Sequence, residues 1–218
     1  LDRILFGSEP EKTVIEELRT LTLLNLDIRG FSILSQDVGP QKTVSLLNRF
    51  FSVMGDIVFQ HQGIVDKYLG DGFLAIFGAP VASTKDADNA LNAALGMRRA
   101  LDGINRQLER EMGYQIKSGI SILTGEVVVG HIGFDKKMDY TVIGDAVNAV
   151  FRLQDLTRNY PDGILLGETT RRACRSPFKI AAIEETLGDL KLFELLGVER
   201  HLGAPSAKLL ELTRSKDR

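Results

Sequence analysis

Apolar residues fall into short dense runs and two long periodic stretches, a pattern that predicts strands interleaved with helices. Residues 21–28 (LTLLNLDI) are too continuously apolar for a half-exposed strand and read as a buried one, closed by Arg29-Gly30. Over 41–60, Val44, Leu47, Phe51, Met54 and Val58 recur at threes and fours behind Pro40, a favourable first-turn residue, so an amphipathic helix is expected. Segments 64–68 and 73–77 flank Leu69-Gly70-Asp71-Gly72, and Asp-Gly between two such runs predicts a hairpin with Asp71 in its turn. The longest helix is expected over 86–111, with Ala90, Leu91, Ala94, Leu95, Leu101, Ile104 and Leu108 on its apolar face and Ser83 and Asp86 spaced as a capping box. Residues 115–123 and 126–132 read as two strands about Thr124-Gly125, followed by a short extended piece at 140–143 and a helix over 145–156. Short strands at 164–166, 178–183 and 190–195, with a helical turn at 168–174, complete the pattern.

Hairpins are frequent, so the fold class is expected to be α+β, a mostly antiparallel sheet flanked by helices, rather than a doubly wound parallel sheet. The organisation expected is a lead-in segment at 1–19, one globular domain over 20–197 and a tail at 198–218. With 27 Lys plus Arg against 29 Asp plus Glu, bulk charge gives no reason to expect a nucleic acid polymer as partner. A lone cysteine, Cys174, forms no intramolecular disulfide, and no Cys/His spacing suggests zinc, which fits a reducing cytoplasm. No apolar run approaches the roughly 18 to 20 residues of a membrane span, since 21–28 is itself interrupted by Asn25 and Asp27. Residue 1 is Leu, and no charged start followed by an apolar stretch and a small-residue cleavage site is visible, so the chain is expected to be a cytoplasmic piece cut from a larger protein with a regulatory domain upstream. Membrane tethering of that larger protein stays open.

Two carboxylates stand at strand ends beside glycine, Asp27 and Asp71. Converging from neighbouring strands they would hold Mg²⁺ or Mn²⁺, hard cations that take oxygen ligands; singly, each is a turn former or a strand cap. Lys67 lies four residues before Asp71, where an exposed lysine is usually only solvated. Asn148 and Arg152 are four apart in the last long helix, which puts an amide and a guanidinium on one face, a pair able to grip a sugar oxygen and a phosphate, or simply a polar face.

The segments LDIRGFS, DKYLGDGFLAIFG and DYTVIGDAVNAVFR, in this order, resemble the catalytic domain of class III nucleotidyl cyclases, over about residues 20–197. The resemblance implies a ferredoxin-like βαββαβ core. It implies that Asp27, Asp71 and the carbonyl of Ile28 hold two divalent metal ions, and that the amides of Gly30, Phe31 and Ser32 cradle a triphosphate. Lys67 and Thr141 match the purine-reading pair, Asn148 the residue that orients the ribose, and Arg152 the residue that stabilises the transition state. A lysine donating to N1 and a hydroxyl accepting from the 6-amino group suit adenine, and guanine inverts that edge. Guanylyl cyclases usually carry Glu and Cys there, so the expected activity is adenylyl cyclase: ATP to 3′,5′-cyclic AMP and pyrophosphate. The alternatives are a guanylyl cyclase, or a nucleotide-binding and dimerisation module that has lost turnover. Thr141, where many adenylyl cyclases have Asp, resembles a bacterial subgroup related to bicarbonate-responsive enzymes.

In that family the metal aspartates and the purine and transition-state residues of one site come from different subunits, which implies a homodimer with sites at the interface. Two departures stand out. Where many relatives have a Lys-Gly-Lys segment, residues 184–193 read EETLGDLKLF, so a triphosphate-binding lysine is missing or displaced to Lys191. Val150-Phe151 before Arg152 is bulkier than usual. His61, His131 and His201 match no role and are assigned to structure or surface.

Overall fold

The apolar run at 21–28 lies in the first strand, β1 (Glu17–Arg29), and its side chains enter two different cores. Leu24, Leu26 and Ile28 pack under the helices α2 (Pro40–Gln60) and α3 (Asp86–Met112), whereas Leu21 and Leu23 pack on the opposite face with Val150 of α4 (Asp145–Leu156). Burial on both faces is why no polar alternation survives there, and strand parity puts Asn25 and Asp27 on the α4 face. The computed structural model describes residues 17–134, 137–160 and 163–199. Within them the remaining elements are α1 (Phe31–Val38), β2 (Gly63–Leu69), β3 (Gly72–Phe77), β4 (Lys117–Phe134), β5 (Lys137–Ile143), β6 (Ile164–Gly167), α5 (Glu168–Ala173), β7 (Phe178–Leu187) and β8 (Leu190–Val198).

The sheet runs β2-β3-β1-β4-β6-β8-β7, with β5 paired to β4 beside β6. Every pairing is antiparallel except β4 with β6, and β1 to β4 with their helices form the expected βαββαβ core. No helix of the described residues is long and apolar enough to cross a membrane.

Departures from the sequence pattern have local causes. Residues 115–132, read as two strands, instead give the single strand β4, which runs Lys117–Phe134. Gly125 makes no turn: a Cβ there would lie 2.8 Å from that of Ala146, so α4 packs close against the strand at this point. Thr124 stays in the ladder, its hydroxyl 2.9 Å from that of Thr22. The short helix α1 buries only Leu34, too little to leave a periodic signal. On α2 the buried stripe is Leu46, Phe50, Met54 and Val58; Val44 is exposed, and Phe51 instead stacks on Tyr68 and Phe73. The capping box forms in altered shape, with the Ser83 amide donating to Asp86 Oδ2 at 2.8 Å while Ser83 Oγ accepts from the Lys85 amide. β1 begins at Glu17, inside the expected lead-in; residues 1–16, and the tail from 200 onward with His201, lie outside the described residues.

Candidate active site

Asp27 is carried by β1 to the point where β3 begins. It pairs with Gly72, and the Ile28 amide donates to the Asp71 carbonyl at 3.3 Å, which seats the two aspartates beside one another. Gly72 is demanded by this approach: a Cβ would fall 2.2 Å from the Leu26 carbonyl oxygen and 3.1 Å from Asp27 Cα. Any side chain there would force the hairpin away from β1. The Asp27 carboxyl is pushed up to about 6, first by burial and then by the charge of Asp71, with a smaller rise from Asp155; Arg158 and the Ile28 amide act in the opposite sense. Crowded carboxylate oxygens with excess negative charge are a donor set that fits Mg²⁺ or Mn²⁺. Among the described residues no group of three or more His, Cys, Asp or Glu is placed to hold a metal. A cation here would therefore complete its shell with backbone oxygen, such as the Ile28 carbonyl, and with oxygens of a ligand or water.

Three residues on, Gly30 takes a left-handed conformation (φ 67°) that turns the chain from β1 into α1. The amides of Ile33 and Leu34 bond back to the Gly30 carbonyl at 3.2 and 3.3 Å. The amides of Phe31 and Ser32, first in the helix, have no acceptor within it. A cleft of about 800 Å³ opens nearby, with Arg29, Arg98, Arg99, Lys117 and Arg158 among its walls. Arg29 and Lys117 face each other across the β1–β4 ladder. Arg29 donates to the Thr157 carbonyl, its buried Nε has no partner among the described residues, and its guanidinium is pulled below its ordinary value by burial and by Arg158. Asp102 lines the same cleft and Arg98 is held by the Leu195 and Leu196 carbonyls, so Arg29, Lys117 and Arg158 are among the cations a polyanion there would meet.

Lys67 on β2 and Thr141 on β5 meet at a residue between them. Thr141 Oγ1 donates to Asp66 Oδ2 at 3.0 Å, and Lys67 Nζ lies 3.2 Å from the same oxygen. The Asp66 side chain is 0% exposed, against 40% for Lys67. Asn148 and Arg152 occupy the solvent face of α4, whose Val150 and Leu153 enter the core. The charges that act on Asp27 come from Asp71, Arg158 and Asp155 rather than from Arg152. A single chain thus gathers the carboxylates at one place, the Lys67–Thr141 pair at another, and turns Asn148 and Arg152 outward.

Lys191 is exposed on β8, paired with Thr186 beside the β7–β8 turn, and is not on the cleft wall. Phe151 packs against the apolar cluster between α4 and the sheet, so its bulk is absorbed by the core. His61 holds the Ile57 carbonyl at 2.9 Å through Nδ1 and His131 stacks on Tyr140, both structural as expected. Sequence reasoning missed Asp66, Lys117 and Arg158. The signal for Asp66 was two adjacent charges inside a strand-like run; nothing in the sequence relates Lys117 or Arg158 to Arg29, since only the fold joins them.

The family described as adenylate and guanylate cyclase catalytic domain matches residues 13–187. A curated adenylate cyclase of Anabaena cylindrica is 35% identical over 175 residues, 78% of this chain and 34% of that protein. The crystal structure of the adenylyl cyclase CyaB from P. aeruginosa superposes with a TM-score of 0.79 at 27% identity, covering 87% of this chain and 100% of that one. That of the guanylyl cyclase Cya2 superposes with a TM-score of 0.73 at 33% identity, covering 86% and 96%. The chain spans about a third of the length of the curated relatives it matches.

Proposed function

The chain belongs to the adenylate and guanylate cyclase catalytic-domain family, and on that premise we propose that it converts ATP to 3′,5′-cyclic AMP and pyrophosphate in sites shared by two copies of itself. Relatives of similar identity include both adenylyl and guanylyl cyclases, so the base is assigned from the residues. The observation that carries it is the convergence of Lys67 and Thr141, from strands far apart in sequence, on one buried carboxylate. Lysine donates to adenine N1 and threonine accepts from the 6-amino group.

In the reaction the ribose 3′-hydroxyl gives up its proton to solvent and its oxygen attacks the α-phosphorus; the new P–O bond forms as the bond to the β-phosphate breaks, and pyrophosphate leaves with the electron pair. Asp27 and Asp71 would hold two divalent ions, Mg²⁺ or Mn²⁺, which when bound make the 3′-hydroxyl more acidic and offset charge on the departing phosphates. The amides of Gly30, Phe31 and Ser32, with Arg29, Lys117 and Arg158, bind the triphosphate. Arg152 of the second copy supplies a fixed cation to the equatorial oxygens, and Asn148 orients the ribose; both are exposed on α4, where another subunit can reach them.

The test is cyclic nucleotide formation by the purified chain with Mn²⁺, given ATP or GTP in parallel over a range of protein concentrations. Cyclic AMP rising more than linearly with protein is expected. Cyclic GMP as the main product overturns the base assignment, and no product from a chain shown to dimerise and bind ATP overturns the catalytic one.

A further inference from the structure

We propose that Asp66 sets the purine choice, by fixing which way the Thr141 hydroxyl points its hydrogen bond and by holding the Lys67 ammonium beside it. This rests on the base-reading role given above to Lys67 and Thr141.

The device begins in the backbone. β2 pairs with β3 in register through Ile64 with Ile76 and Val65 with Ala75, and then Lys67, not Asp66, pairs with Leu74. Asp66 is thus the extra residue of a β-bulge. Leu74 and Ile76 belong to the α4-side cluster and Phe73 and Ala75 to the α2–α3 cluster. In an unbroken ladder Lys67 would pair with Phe73 and point into the apolar α2–α3 side. The extra residue instead keeps Lys67 on the side of Leu74, re-aims Asp66 towards β5, and lets Tyr68 pair with Phe73 and stack on Phe51.

The chemistry follows from counting protons. A threonine hydroxyl has one proton and two lone pairs, and an ionised carboxylate only accepts. Thr141 gives its proton to Asp66 Oδ2, so towards a base it offers lone pairs alone. Adenine answers with its 6-amino group. Guanine presents a carbonyl oxygen, leaving two acceptors face to face at a position only 9% exposed. The same Asp66 oxygen holds Lys67 Nζ at 3.2 Å, keeping the donor for N1 adjacent to the acceptor for the amino group. The remaining oxygen, Oδ1, is buried and has no partner among the described residues, so within them Thr141 and Lys67 are the groups through which this carboxylate acts. Asp66 is a positioning residue: it acts on the base through both.

An amide at this position removes the constraint, because its NH₂ can donate to Thr141 and release the hydroxyl proton towards guanine. In Asp66→Asn the ratio of kcat/KM for ATP over GTP is expected to fall about tenfold or more, by gain on GTP as well as loss on ATP. A purely structural role would lower both substrates together and leave the ratio in place, which overturns the proposal. In a Thr141→Val background only the Lys67 contact remains for Asp66 to act through, so Asp66→Asn is expected to change the ratio by clearly less than it does in the wild type. A further drop of equal size there means that Asp66 does not act through the hydroxyl, and also overturns it. Asp66→Ser, which can also donate, replaces the amide if that variant does not fold. Lys67→Glu with Thr141→Cys separates the two levels of the argument. If that pair shifts the ratio and Asp66→Asn does not, only the Asp66 proposal fails; if neither does, the base-reading assignment fails with it.

Discussion

Replacing Asp27 by asparagine should make the metal-free protein more stable while abolishing its response to Mg²⁺. The Asp27 carboxyl, raised from 3.8 to about 6 by burial and by Asp71, holds a proton in the folded state over a pH window where the unfolded chain has lost it. Stability from this group therefore falls as pH rises from 3.8 to about 6, and above that window the full cost of the ionised, crowded carboxylate is present. Undamped, the shift corresponds to about 3 kcal/mol; for a half-buried carboxylate screened by solvent, roughly 1 to 2 kcal/mol is realistic. Asparagine keeps the shape and the acceptor for the Ile28 amide but carries no charge. At pH 7.5 in EDTA, Asp27→Asn should raise Tm by about 2 to 6 °C, and at pH 5 by roughly half as much. Mg²⁺ at ten times its dissociation constant should add about 1.4 kcal/mol to the wild type, and nothing to the variant. Thermal unfolding at both pH values, with EDTA or Mg²⁺, reads all of this. An asparagine variant less stable than wild type in EDTA at pH 7.5, or stabilised by Mg²⁺ to the same extent, would refute the reasoning.

Three further outcomes are expected. An Asp71→Ala chain mixed with an Arg152→Ala chain should recover about a quarter of wild-type activity, since half the dimers are mixed and each has one intact site; no recovery in a verified mixed dimer argues against shared sites. Lys117→Ala should raise KM for ATP by about 10-fold to 100-fold with a smaller change in kcat, as for loss of one charge-assisted contact to the triphosphate, and an unchanged KM removes Lys117 from the phosphate site. Cys174, whose thiol is pushed up to about 12 by burial and by Asp88, should react with iodoacetamide at pH 8 on the order of 10³-fold more slowly than an ordinary cysteine. Alkylation at the ordinary rate in the native protein would contradict that placement.

What could be read from the sequence was local. LTLLNLDI announces a buried strand because both its faces are covered, and Leu69-Gly70-Asp71-Gly72 announces a hairpin because turn chemistry is confined to neighbouring residues. Thr124-Gly125 misled for the same reason: a turn signal was read where the glycine answers to Ala146 on a helix packed across the strand. α1 buries one side chain and so has no period to detect. At the site, the aspartates and Lys67 lie in short motifs. The cationic cleft draws on positions 29, 117 and 158, which meet only when β4 pairs with β1 and α4 ends beside them. Asp66 escaped because a period-two strand would have pointed it and Lys67 to opposite faces, and a bulge is a property of the pairing, not of one strand.

The β2–β3 hairpin carries Lys67 and Asp71 only four residues apart. In the dimer proposed above, that lysine serves one nucleotide and that aspartate the other. In that dimer the ribbon, paired to β1 through β3, would join the two catalytic centres, and closing on the base of the first substrate would bear on the carboxylate that awaits the second. Binding of ATP in the two halves would then be coupled.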